Sequence, residues 1–199
     1  TGYRMGRDIF ERIASIERGA GPFNLPTGVG VTSNGDIFVS DGYGNARVHK
    51  FSPEGELIMS WGEPGAGPGQ FRLPHNLWVD KKDRIWISDR ENSRIQIFDT
   101  EGNLLDQWID LLRPCHVYMD KDENVYVSEL SRRISIFSND GELLARWGNE
   151  SHGMDDPLLV GPHVICVDSH GDLYVGEVAT AFGKVDRGTR TIQKFKHVG

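Results

Sequence analysis

The 199-residue chain contains two cysteines, Cys115 and Cys166. That is too few for a disulfide framework. No apolar run approaches the roughly 20 residues that a membrane-spanning helix needs. Basic residues are in deficit: 22 Lys and Arg stand against 29 Asp and Glu, a net charge of −7. Such a surface repels a phosphate backbone, which argues against nucleic acid as a partner. No basic-then-apolar secretory leader stands at Thr1, and a mature or shortened chain would look the same, so the compartment stays open. Hydrophobic residues make up 38% of the chain. That is enough for a packed core and argues against disorder. The length suits one domain or one compact repeat array.

Self-similarity identifies the fold. Three segments share one pattern: "LPTGVGVTSNGDIFVSDGYGNARVHKFSPEGELIMSWG", "LPHNLWVDKKDRIWISDRENSRIQIFDTEGNLLDQWI" and "RPCHVYMDKDENVYVSELSRRISIFSNDGELLARWG". A fourth, "GPHVICVDSHGDLYVGEV", continues after an insertion as "RTIQKFKHVG". The repeat prolines Pro26, Pro74, Pro114 and Pro162 lie 48, 40 and 48 residues apart. Each unit alternates apolar and polar residues between short polar turns, which predicts four short strands per unit. Four-stranded units at this period predict an all-β propeller with blades at about residues 22–62, 71–109, 112–148 and 158–199. The fourth unit has no last strand after Phe195. Residues 11–18 match the end of a unit, with Ile13 to Ile16 as a strand. That strand either closes a four-bladed ring or ends a preceding blade, and the second reading implies further upstream blades. Trp61, Trp108 and Trp147 recur at the last strand and are expected to pack between blades. Arg47, Arg94 and Arg133 recur near the third strand and read as part of the repeat.

Aligned on their prolines, the units place Thr27, His75, Cys115 and His163 at one position. First strands of propeller blades run in the same direction around a channel, so these residues are expected at one end of it. Two histidines and a cysteine are donors suited to zinc. The plainer alternatives are a histidine that hydrogen-bonds backbone and a cysteine that fills space. Cys166 lies three residues beyond the level of Cys115, about 10 Å along the strand, which is outside disulfide reach. His116 is expected to face away from the channel side chains. His49, His152, His170 and His197 have no partner in register. The insertion "EVATAFGKVDRGTR" joins the second and third strands of the fourth unit. It is placed either to overhang the channel mouth or to elaborate the surface.

The unit "P-x-x-V-x-V-D…I-x-V-S-D-x-x-N-x-R-I-x-x-F…G-x-x-L-x-x-W-G" resembles the NHL repeat, whose propellers usually carry about six blades. The stretches "SDGYGNARVHKFSPEGELIMSWGEPGAGPGQFRLPHNL" and "DRENSRIQIF" further resemble the propeller of peptidyl-α-hydroxyglycine α-amidating lyases. That resemblance implies a zinc enzyme that splits peptidyl-α-hydroxyglycine into a peptide amide and glyoxylate, with a structural Ca2+ nearby and an extracellular or periplasmic setting. It implies zinc ligation by His75 and His163, an active-site role for Tyr43 in "DGYGN", and a substrate-facing role for Arg90 in "DRENS". The family's third histidine and a further arginine would fall on upstream blades. Its calcium-binding aspartate is replaced here by Val164, so no Ca2+ ligands are identifiable. The alternative function is a non-catalytic NHL propeller that binds a protein or small molecule. Carboxylate-dependent hydrolase chemistry finds no ligands at these strand heads. Open blade edges would also allow self-association.

Overall fold

The computed structural model describes residues 23–148 and 158–197. The chain is all-β, interrupted only by short helical turns, and divides into two compact units at Asp110/Leu111. The proposed strand at residues 11–18 lies outside the described residues.

The first unit holds two four-stranded antiparallel blades. Blade 1 consists of β1 (Pro26–Val31), β2 (Ile37–Asp41), β3 (Arg47–Phe51) and β4 (Leu57–Trp61). Blade 2 consists of β5 (Pro74–Val79), β6 (Ile85–Asp89), β7 (Arg94–Phe98) and β8 (Leu104–Trp108). The alternation in the sequence becomes one packed layer between them: Phe38 and Val48 of blade 1 meet Leu77, Ile85, Ile87 and Phe98 of blade 2. Gly28 and Gly30 let β1 lie close against Asn76, Leu77 and Val79 of β5. Trp61 fills the outer part of the layer, with its ring 6.1 Å from that of Phe38 and 5.8 Å from that of Phe98. This is the between-blade packing expected of the recurrent tryptophan.

The second unit holds blade 3, formed by β9 (Pro114–Met119), β10 (Val125–Glu129), β11 (Arg133–Phe137) and β12 (Leu143–Trp147). In blade 4, β13 (Pro162–Val167), β14 (Leu173–Glu177) and β15 (Ile192–Phe195) form a three-stranded sheet among the described residues. Ile134, Leu159, Ile165 and Val175 build its core, and Trp147 packs on Phe195 with ring centroids 6.0 Å apart. Cys115 and Cys166 are both free thiols, as the axial offset requires.

One device recurs in all four blades. The second strand ends in a buried carboxylate: Asp41, Asp89, Glu129 or Glu177. Each accepts the backbone N–H two residues before its blade's proline. Asn24 donates to Asp41 at 2.7 Å, Arg72 to Asp89 at 2.7 Å and Val160 to Glu177 at 2.8 Å, and Leu112 donates to Glu129. The residue between is driven into left-handed backbone in three blades, with φ of 68° at Leu25, 71° at Leu73 and 56° at Arg113. Side chains resist that conformation, and residues before proline favour extended backbone, so the turn needs outside support.

A buried carboxylate also needs a partner charge. Arg94 donates to Asp89 at 2.8 Å, and Arg133 forks onto Glu129. The recurrent arginines of blades 2 and 3 are therefore structural, as their recurrence implies. In blade 4 the cation is Arg187, from the insertion, paired with Glu177 at 3.1 Å without hydrogen-bond alignment. Blade 1 differs: Asn45 donates to Asp41 at 2.5 Å and His49 approaches it at 3.4 Å, while Arg47 turns to the Ser60 carbonyl.

Replacing Glu129 by Ala should strand Arg133 and the Leu112 N–H together. The expected loss is about 3–5 kcal/mol in urea unfolding. Glu142→Ala, in an exposed turn, should stay within about 0.5 kcal/mol. Equal effects from the two substitutions would show that the buried carboxylate is not a keystone of the blade.

Candidate functional site

The strand heads carry a second repeated feature. In blade 1, Pro26 pairs with Asp41 and Gly28 with Ser40, so Thr27 is left over. In blade 2, Pro74 pairs with Asp89 and Asn76 with Ser88, leaving His75. Pro114 and His116 pair with Glu129 and Ser128, leaving Cys115. Pro162 and Val164 pair with Glu177 and Gly176, leaving His163. All four register-matched residues are therefore bulge residues. A bulge removes a residue from the ladder and re-aims its side chain. That is how an imidazole or a thiol can point away from the two faces of its sheet.

In the first unit His75 is buried, 6% exposed, and meets Tyr43. The Tyr43 hydroxyl lies 3.1 Å from His75 Nε2, with the rings edge to face at 5.6 Å. Arg90 Nη1 donates to the same hydroxyl at 3.2 Å, and its guanidinium lies 5.5 Å from the centre of the Tyr43 ring. Donor and acceptor between the phenol and His75 Nε2 depend on the imidazole tautomer: with Nε2 protonated, it donates to the phenol oxygen beside Arg90, and Nδ1 keeps its lone pair for a metal. Arg90 is 2% exposed and also donates through Nε to Glu91 at 2.8 Å. Its guanidinium thus faces Tyr43 and Glu91.

Local backbone explains this convergence. Aligning loops by sequence puts Gly42 opposite Arg90, but the hydrogen bonds shift this by one residue. Tyr43 N–H donates to the Leu25 carbonyl just as Arg90, Leu130 and Val178 donate to those of Leu73, Arg113 and Gly161. Blade 1 therefore carries one extra residue after its carboxylate, and that residue is Gly42. A Cβ on Gly42 would lie 2.2 Å from the Pro74 carbonyl oxygen. The bare backbone allows the loop to touch the head of β5, which sets Tyr43 against His75.

In the second unit Cys115 is fully buried and His163 half-buried, and their donor atoms lie within 4.8 Å of one another. Zinc would draw such donors closer, since its bonds to sulfur and nitrogen are about 2.3 and 2.0–2.1 Å. A thiol and an imidazole suit that ion chemically. His116, expected to face away from the channel side chains, lies close enough to feel His163. Burial pushes the His116 pKa down, the charge of His163 pushes it further, to about 4, and the Ile165 backbone opposes both. Its Nδ1 has no hydrogen-bond partner. His116 itself stays in the ladder, opposite Ser128, with the bulge at Cys115 just before it.

The insertion of blade 4 returns to the strand-head end of its own unit. Residues Ala179–Gly183 form a π-helical turn, and Phe182 rests against Gly161, immediately before Pro162. The Arg113 guanidinium of blade 3 lies 5.3 Å from the centre of the Phe182 ring. Neither Phe182 nor Arg113 carries a catalytic signal in the sequence. The break in repeat period was the one available pointer.

Comparison with known proteins places the NHL repeat at residues 23–51 and 71–98, so the chain carries NHL repeats. It is 48% identical over 85 residues to peptidylglycine alpha-amidating monooxygenase of Rattus norvegicus, covering 40% of this chain and 9% of that protein. It is 44% identical over 85 residues to peptidyl-alpha-hydroxyglycine alpha-amidating lyase 1 of Drosophila melanogaster, covering 38% of this chain and 16% of the relative. It is 39% identical over 89 residues to NHL repeat-containing protein 3 of Homo sapiens, covering 43% of this chain and 26% of that protein. The aligned stretches are thus a small part of each relative's length.

Gly42→Ala should force the Tyr43 loop off β5, costing about 1–3 kcal/mol of stability as overpacking does. Tyr43→Phe should leave stability within about 1 kcal/mol. Thermal melts of the pair measure this. A Gly42→Ala protein as stable as wild type would mean that the contact with Pro74 is not tight.

Proposed function

We propose that this chain is a lyase-like propeller that acts on peptidyl-α-hydroxyglycine, with a zinc ion held at its strand heads. The observation that carries the reading is the repeated bulge. It singles out the same position in every blade, and three of the four blades place a zinc-suited donor there. Cys115 and His163 are the proposed ligands within their unit, and His75 is proposed with them because it holds the same position in the repeat. The 44% identity to a peptidyl-α-hydroxyglycine lyase supports the substrate class. No helix among the described residues is long and apolar enough to cross a membrane. An extracellular setting, where amidated peptides would be made, belongs to the same proposal.

Zinc would supply the Lewis acidity that eases loss of the substrate hydroxyl proton near neutral pH. The chain's own residues then account for the proton. The hydroxyl loses a proton, the carbon–nitrogen bond breaks with its electron pair moving to nitrogen, and that nitrogen regains a proton. The carbon becomes the aldehyde of glyoxylate, with no net oxidation. Tyr43 would carry this proton, a role that the contact of its hydroxyl with His75 supports. Arg90 acts through Tyr43: it fixes the phenol's orientation and would stabilise negative charge on its oxygen. It is a positioning residue.

Metal analysis of the purified protein should find zinc near one equivalent, lost in His163→Ala and reduced at least tenfold in affinity in Cys115→Ser. Glyoxylate should be released from an N-acyl-α-hydroxyglycine. Tyr43→Phe should lower kcat by about 10²–10⁴ while zinc is retained. Protein that retains neither zinc nor activity would overturn the reading. Zinc without glyoxylate release would favour a non-catalytic NHL propeller whose ion is structural.

A further inference from the structure

We propose that Ser128 is a positioning residue for Cys115: its hydroxyl donates to the Cys115 sulfur when that sulfur is a metal-bound thiolate. The proposal deepens the zinc reading and rests on it.

Two observations carry it. The first is burial without a partner. Ser128 is fully buried, and its Oγ has no hydrogen-bond partner among the described residues. A hydroxyl buried in this way is destabilising, and native chains keep few of them. Such a group points to an acceptor that completes it.

The second is place. Ser128 stands in the ladder opposite His116, beside the bulge residue Cys115. Blade 1 shows where a serine at this position turns. There Ser40 stands opposite Gly28, and its Oγ lies 2.9 Å from Oγ1 of the bulge residue Thr27. The threonine oxygen offers lone pairs, and Ser40 is satisfied. Ser128 has a cysteine as its bulge neighbour. A neutral thiol is a weak acceptor, whereas a thiolate is a strong one. A serine re-aims its hydroxyl by one rotation between staggered positions. A hydrogen bond donated to the thiolate would hold the sulfur's direction and favour its charged form, and both raise affinity for a metal.

Two neighbours limit the inference. His116 Nδ1, on the residue directly opposite, is also buried and unpaired, so it is the competing acceptor for Ser128. A neutral nitrogen accepts less strongly than a thiolate, which gives the sulfur the advantage once a metal is bound. Ser88 holds the equivalent place in blade 2, beside His75, and its Oγ is unpaired as well. An imidazole that binds a metal through one nitrogen and donates through the other has no lone pair left to accept with. The inference is therefore confined to Ser128.

The test reads metal binding and not turnover. Co2+ is titrated into the metal-free chain, and its sulfur-to-metal charge-transfer absorption reports on the Cys115 sulfur. Zn2+ affinity is read by competition with a chromophoric chelator. Ser128→Ala and Ser128→Gly should each lower Zn2+ affinity about tenfold and move the charge-transfer band to lower energy. The glycine variant copies blade 4, which carries Gly176 at this place. Metal-free Ser128→Ala should melt at or above the wild-type temperature, because an unpaired buried hydroxyl has been removed. Cys115→Ser should abolish the band, and in that background Ser128→Ala should change Zn2+ affinity by less than about twofold. Ser40→Ala, in the other unit, should leave the band where it is. A Ser128→Ala protein that melts lower but keeps wild-type affinity and band position would make Ser128 a structural partner of His116. That result overturns the proposal and leaves the zinc reading standing. A wild type that binds Zn2+ without a cysteine-dependent band overturns the proposal together with Cys115 as a ligand. A wild type that binds neither ion overturns the zinc reading itself, and the proposal with it.

Discussion

The buried carboxylate at the end of each second strand governs the rest of the blade. It takes the N–H of the incoming chain, holds the next residue in left-handed backbone and delivers the proline to the ladder directly opposite itself. The following residue is then squeezed out as a bulge. A carboxylate at a desolvated place needs a cation or several N–H groups facing it. At Asp89 the two effects are visible together: burial pushes its pKa up, and Asn92, the Arg72 N–H and Arg94 pull it back. Stability and site geometry therefore depend on one interaction. A substitution that frees the incoming turn also lets the bulge relax, and the donor at position 75, 115 or 163 loses its direction.

This coupling explains what could be read in the sequence and what could not. Repeat period, strand alternation and the prolines are local patterns, and they located the blades and the register of Thr27, His75, Cys115 and His163. Repeated arginines near the third strand also marked themselves as structural, and Asp89 and Glu129 are what they serve. The bulge left no such mark, because it is a mismatch in length between two strands and neither strand shows it alone. The blade 1 loop hid its one-residue shift for a related reason. Gly42 and Arg90 align by count, whereas the chain aligns Tyr43 and Arg90 by the carbonyls they reach.

The departures from the repeat are where the residues of the proposed chemistry gather. A perfectly regular blade would leave nothing at its strand head except a bulge residue. Blade 1 adds a glycine and so carries Tyr43 onto His75 of the next blade. Blade 2 supplies Arg90 in a tight turn, Arg90–Asn92, directly after its carboxylate. Blade 4 adds a long insertion that brings Phe182 back over its own entry turn. All three changes sit between the second and third strands. Loops there lie beside the strand heads, so they can vary without disturbing the layers between blades.

Blade 4 shows how such a change can be made without losing the latch. Its insertion displaces the arginine that opens the third strand in blades 2 and 3. The buried Glu177 would then lack a cation, a loss worth several kcal/mol. Arg187 restores the charge from within the inserted segment itself. The same residue that repairs the latch also pins the far end of the loop, through the Leu158 carbonyl. Repair and positioning are thus one contact, and the loop cannot be stabilised without also fixing where Phe182 stands. In a fold whose blades are otherwise alike, an insertion that carries its own counter-charge can extend beyond the repeat and still be tied to the buried carboxylate of its blade.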